Sequence, residues 1–299
     1  MARSFKELKR NRAADAEKIR SLTRVNLGTQ KRTRLIRAGC SDSETLLHKT
    51  VAADHGKTLA QDYIKRLGRL SKQAAHERLR FVTVLHAVTD LKRRAVMRAV
   101  ASMEKSLNGV FADSGIWMLG AVEIEIVNKA LLRSIKSLGS DEARKLDVLE
   151  KLHVGADDSA MLVHFHGIAD LEGSLLSEDQ LRKRFKKVAA WRRSPYQIEM
   201  KKFFTDRTVQ QNVRDIANYL TKGGNDKLRY NAGFGRELDD DFDAKVWRAG
   251  MGRADRGGET VPDQRGLTLV EIAFLDRMWR DLMNRKRNKR GYLTRISGR

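Results

Sequence analysis

SAMLVHFHGIADL, residues 159–171, is almost wholly apolar, yet it carries two histidines, His164 and His166. A run of this length and composition, bounded by charged residues, predicts a β-strand. Side chains at i and i+2 of a strand share a face. Both imidazoles therefore project side by side from a rigid element, while Phe165 points into the opposite layer. Two adjacent imidazoles make a good two-point ligand set for a transition-type divalent metal.

Similar strands lie on either side. RFVTVLHAV (80–88) is β-branched and apolar, and YQIEMKKFF (196–204) reads as a further strand. IWMLGAVEIEIV (116–127) alternates, with Val122, Ile124 and Ile126 on one face and Glu123, Glu125 and Val127 on the other. Helical spacing of apolar residues covers 59–77, 90–107, 207–222 and 267–284, and 178–190 reads as a basic helix. Residues 1–23 read as another basic helix, 24–57 as polar and turn-rich, and 129–158 as charged helix and loop. Strands separated by helices without regular βαβ spacing predict an α+β fold. The expected division is a basic helical region over 1–77, a core over 78–230, and a glycine-rich linker with a basic helical tail over 231–299.

A metal on two histidines needs a third ligand. Carboxylates alternating within an apolar strand face either solvent or a cation. Glu123 is the first choice, followed by Glu125, with Asp157 or Asp158 behind them. The segment VRDIANYLTKGG (213–224) places Tyr219 and Lys222 on one helix face, with Asp215 one turn before the tyrosine. A tyrosine near a bound divalent metal can attack phosphorus. A lysine one turn on can steady the phosphate.

In order along the chain, FVTVL (81–85), LGAVEIEIV (119–127), HFHGIADL (164–171) and VRDIANYLTKGG resemble the motifs of the HUH endonucleases. These include the rolling-circle replication initiators, or Rep proteins, of plasmids and small single-stranded DNA viruses. The resemblance covers about 78–230 and implies an antiparallel sheet with helices on its faces. It implies that Tyr219 is the nucleophile, that His164 and His166 bind the metal with Glu123 as candidate third ligand, and that Lys222 positions the phosphate. The implied metal is Mg²⁺ or Mn²⁺. The implied reaction nicks one strand of a single-stranded or extruded DNA origin, linking the tyrosine to the 5′ phosphate and leaving a 3′-hydroxyl primer. The chain departs from the family pattern in its long stretch between Glu123 and His164 and in having one tyrosine where some members have two. A second strand transfer would then require another protomer or an activated water. Only 77 residues follow Lys222, too few for a helicase domain, so a host helicase and polymerase are the expected partners. A single-tyrosine transposase or a mobilisation relaxase is the alternative within the superfamily. A non-catalytic nucleic-acid binder is the alternative outside it.

Composition agrees with a polyanionic partner. Lys and Arg total 60 against 38 Asp and Glu, a formal net charge of +22. Within the last fifteen residues, Arg285, Lys286, Arg287, Lys289 and Arg290 form a basic cluster expected to lie along a phosphate backbone. Anionic membrane is the rival partner, but no run of apolar residues is long enough to span a bilayer, and the N-terminus has no apolar signal region. One cysteine, Cys40, excludes an internal disulfide and fits a reducing cytoplasm. His55-Gly56-Lys57-Thr58 has the end of a P-loop, but the position of its first glycine is Val51. His153 and His86 are expected to be core or surface histidines rather than ligands, with His86 the nearer candidate because it ends the first strand. Trp117 and Trp191 are expected in the core, and Trp279 is expected to anchor the tail helix.

Overall fold

A computed structural model describes residues 46, 49–128, 147–152, 159–221, 269–285 and 290–297. In chain order the elements are α1 (Lys49–Leu67), α2 (Lys72–Arg78), β1 (Leu79–Thr89), α3 (Arg93–Phe111), β2 (Trp117–Asn128) and β3 (Ser159–Asp170). They continue with α4 (Glu178–Lys187), β4 (Ile198–Lys202), α5 (Val209–Thr221), α6 (Leu269–Asn284) and β5 (Leu293–Ser297). The strands form a five-stranded antiparallel sheet of order β4-β1-β3-β2-β5. The fold is α+β, and among the described residues no helix is long and apolar enough to cross a membrane.

Period-two alternation gives the sheet two faces. Val82, Val84, Val122, Ile124, Val163 and Phe165 pack with Val96, Val100, Met103 and Leu107 of α3 in the main core. Glycine is required where β2 meets β3. Gly120 and Gly167 are cross-strand partners, and a side chain at 120 would collide with the Phe165 ring. On the opposite face a smaller cluster joins Leu85, Val88, Val127 and Leu162 to Val148, Leu149 and Leu152 of a helical stretch at 147–152.

The ends of the strands are tied by ion pairs. Asp170, which is buried, accepts from Nε and a terminal nitrogen of Arg78 at 2.7 and 2.9 Å. That hydrogen bond raises the guanidinium's pKa further. Arg80 Nε donates to Glu178 at 2.7 Å. Burial alone would raise the Glu178 pKa, but hydrogen bonds from Arg182 and Arg80 outweigh it and hold the carboxylate below its ordinary value.

Three features depart from or lie beyond the sequence reading. First, α1 begins at Lys49, inside the stretch read as turn-rich, and α2 is a separate helix capped by Ser71. The polar composition concealed a close helix contact. A Cβ on Gly56 would lie 2.7 Å from Thr221 Oγ1, so the glycine lets α1 lie against α5. The P-loop-like residues are thus part of a packed helix. Second, the division at 77 and 231 does not separate cores among the described residues. Tyr63 of α1 donates to the Leu119 carbonyl at 2.7 Å, and Leu275, Met278, Trp279 and Leu282 of α6 belong to the same core. Third, the end of the basic tail is a strand. β5 pairs with β2, and Tyr292, Leu293 and Ile296 are buried. Burial at about 1.5–3 kcal/mol for each large apolar side chain outweighs the basic character of its neighbours. The Tyr292 hydroxyl lies 2.7 Å from His55 Nδ1, joining the two ends of the described chain, and burial raises its pKa well above the ordinary value.

Candidate metal centre

The central pair of strands brings the polar residues together. Antiparallel register sets Glu123 opposite His164 and Ala121 opposite His166 on β2 and β3, and Thr83 of β1 opposite His166 on its other side. Alternation then places Thr83, Glu123, Glu125, His164 and His166 on one face. Glu123, His164 and His166 are each less than 5% exposed, and Glu125 is also buried.

The ligand atoms converge. One donor atom from each of Glu123, His164 and His166 lies within 4.8 Å of the others. His164 Nδ1 is 3.0 Å from His166 Nε2. Its Nε2 stands 3.5 Å from a carboxylate oxygen of both Glu123 and Glu125. Burying two carboxylates beside two imidazoles is unfavourable unless positive charge balances them. A protonated imidazole or a metal ion supplies that charge. Two imidazole nitrogens and a carboxylate oxygen suit a first-row divalent ion, and they suit Mn²⁺ better than the oxygen-preferring Mg²⁺.

Around this centre, Thr83 Oγ1 lies 2.9 Å from His166 Nδ1. A hydroxyl accepting from Nδ1–H fixes the tautomer that leaves Nε2 available to a cation. Phe81 stacks on the His166 ring at 5.7 Å between centroids. From α5, Tyr219 sets its ring edge-on to His166 at 5.2 Å and to Phe81 at 6.4 Å. Residues Val209, Val213, Ala217 and Leu220 bury the apolar stripe of α5, which turns Tyr219 towards the sheet.

Comparison with protein-family models, with curated proteins and with solved structures finds no match.

Glu123, His164, His166 and Tyr219 lie together in the structure. Glu125 stands as near to His164 as Glu123 does, so the carboxylate partner is a pair. Lys222, His153, Asp157, Asp158, Lys286, Arg287 and Lys289 lie outside the described residues. Arg285 and Arg290 differ from the expected free basic arm. They form ion pairs with Glu104 of α3 and, at 2.7 Å, with Asp62 of α1. Asp215 is exposed and pairs with Arg207 at 3.1 Å, on the surface and not in the buried centre.

His86 is a core residue. The β1–β3 register shifts between Leu85 and Ala87, leaving His86 at a β-bulge. The indole of Trp191 donates to its Nδ1 at 2.9 Å. An indole nitrogen can only donate, so that imidazole nitrogen must be unprotonated. Burial, with a smaller repulsion from Arg193, lowers its pKa to about 4. Sequence gives Thr83 no role of its own, because its contact with His166 is made across strands and appears only with the strand order.

Proposed function

We propose that the protein is a metal-dependent, single-tyrosine DNA nicking and strand-transfer enzyme of the Rep type, acting at a replication origin. The observation that carries this reading is the seat of Tyr219 against His166, one of three buried residues whose ligand atoms converge. Tyrosine supplies a nucleophile, and two imidazoles with a carboxylate supply a cation site beside it.

Glu123, His164 and His166 would hold the divalent ion. When bound, such an ion polarises a phosphoryl oxygen and offsets its developing charge. Thr83 holds His166 in orientation, and Phe81 confines the rings of His166 and Tyr219. The Tyr219 phenol gives up its proton, and its oxygen forms a bond to phosphorus as the P–O3′ bond breaks. The departing O3′ takes a proton and remains as a 3′-hydroxyl, while the 5′ phosphate stays on the tyrosine. Lys222, one helical turn on in sequence, is assigned to the phosphate. The overall charge of +22 favours a DNA substrate and predicts steep salt dependence.

A cleavage assay tests the reading. Incubation with a pool of labelled single-stranded circular DNA and Mn²⁺ is expected to give a protein–DNA adduct that survives SDS. EDTA and Tyr219→Phe should each abolish it. Cleavage that persists in Tyr219→Phe would overturn the tyrosine assignment. Salt-sensitive binding with no adduct under any metal would favour a non-catalytic nucleic-acid binder.

A further inference from the structure

The strongest surface feature lies apart from the buried centre. Between residues 182 and 214 the chain carries eleven Lys and Arg against two acids, Glu199 and Asp206. The same stretch contains Tyr196 and Phe204, large side chains left 49% and 61% exposed. They flank β4, which among the described residues is an edge strand paired with β1 alone.

Phe204 is held in place while its ring is open. Its neighbour Phe203 is buried, and the Phe203 carbonyl lies 2.7 Å from His76 Nδ1. Asn212 Nδ2 donates to the Phe204 carbonyl at 3.0 Å. The Arg207 guanidinium sits over the Phe204 ring, 5.1 Å from its centroid. A fixed aromatic surface with an arginine against it is the arrangement on which unpaired bases stack while phosphates meet cations. Protection of an open sheet edge accounts for Lys201, which pairs with Glu199 at 3.0 Å. It does not account for Phe204, because an exposed aromatic beside an open edge favours aggregation.

The surface leads to Tyr219. Lys201 is the cross-strand partner of Phe81, whose ring meets Tyr219. Arg207 pairs with Asp215, one turn before Tyr219 on α5.

We propose that the β4 edge and the loop after it dock single-stranded DNA, with Phe204 as a base-stacking platform and Lys201, Lys202 and Arg207 as phosphate contacts. The choice of DNA rests on the strand-transfer reading above, whereas the stacking surface stands on the residues just described.

Binding of a labelled oligothymidylate is measured by fluorescence anisotropy in EDTA, where no strand transfer occurs. Phe204→Ala and Phe204→Leu should each weaken binding about tenfold, and Phe204→Trp should retain it. Lys201→Gln and Arg207→Gln should each lower the salt slope by about 0.7. An unchanged thermal midpoint in each variant separates loss of contact from loss of fold. Wild-type binding by Phe204→Leu would overturn stacking, since leucine keeps the apolar surface without the ring. Tighter binding of oligouridylate than of oligothymidylate would overturn the assignment to DNA. Adduct formation with Phe204-independent binding would remove this surface and leave the nuclease reading intact. Phe204-dependent binding with no adduct would do the reverse.

Discussion

Two sets of buried histidines lie within a few residues of each other on neighbouring strands, in opposite chemical settings. His86 accepts from the indole of Trp191, and burial, with a smaller repulsion from Arg193, keeps it neutral. His164 and His166 meet each other, a threonine and two carboxylates. Burial is common to both, so burial does not mark a ligand site. The difference lies in the partners. A single donor satisfies one imidazole nitrogen and specifies a structural histidine. Two carboxylates facing an imidazole pair call for balancing positive charge, which a protonated imidazole or a bound cation would supply.

The largest effect that can break this contrast is on metal binding. His164→Gln and His166→Gln should each weaken Mn²⁺ binding by more than about 100-fold, since removing a ligand exceeds the loss from an outer-shell residue. His86→Gln should leave the affinity unchanged. Titration followed by electron paramagnetic resonance reads both, and equal losses in all three variants would erase the distinction.

A smaller effect is expected at Thr83. Thr83→Val keeps the shape and removes the hydroxyl that faces His166 Nδ1, and it should cost about tenfold in Mn²⁺ affinity. Thr83→Ser should restore it. A purely packing role predicts the opposite ranking, with valine the better substitute.

The third effect concerns stability. The folded His86 has a pKa of about 4, below the value of 6.5 expected in the unfolded chain. As pH falls from about 6.5 to 4, the unfolded chain takes up a proton that the folded protein refuses. Stability is therefore lost over that window, by about 3 kcal/mol at its lower end. His86→Gln should flatten this part of the profile, measured by urea unfolding at several pH values. A profile unchanged by the substitution would show that His86 titrates normally.

The contrast was half legible in the sequence. Alternation alone puts His164 and His166 on one face, and helical spacing brings Tyr219 forward. Pairing Glu123 with His164 needs the register between β2 and β3, which depends on contacts across the long interval between them. The bulge at His86 is a two-strand property that no single strand displays. β5 was hidden because Arg285, Lys286, Arg287, Lys289 and Arg290 dominate the reading of the short apolar pattern Leu293-Thr294-Arg295-Ile296. The start of α1 was hidden because its polar residues are compatible with a turn-rich loop, and only the fit of Gly56 against Thr221 shows why a helix belongs there.

The most direct measurement is the SDS-stable adduct with labelled single-stranded DNA, read for wild type, His164→Gln and Tyr219→Phe side by side with His86→Gln. The account predicts a Mn²⁺-dependent adduct in wild type and in His86→Gln, and none in the other two. An adduct of equal yield in Tyr219→Phe or in His164→Gln would contradict it.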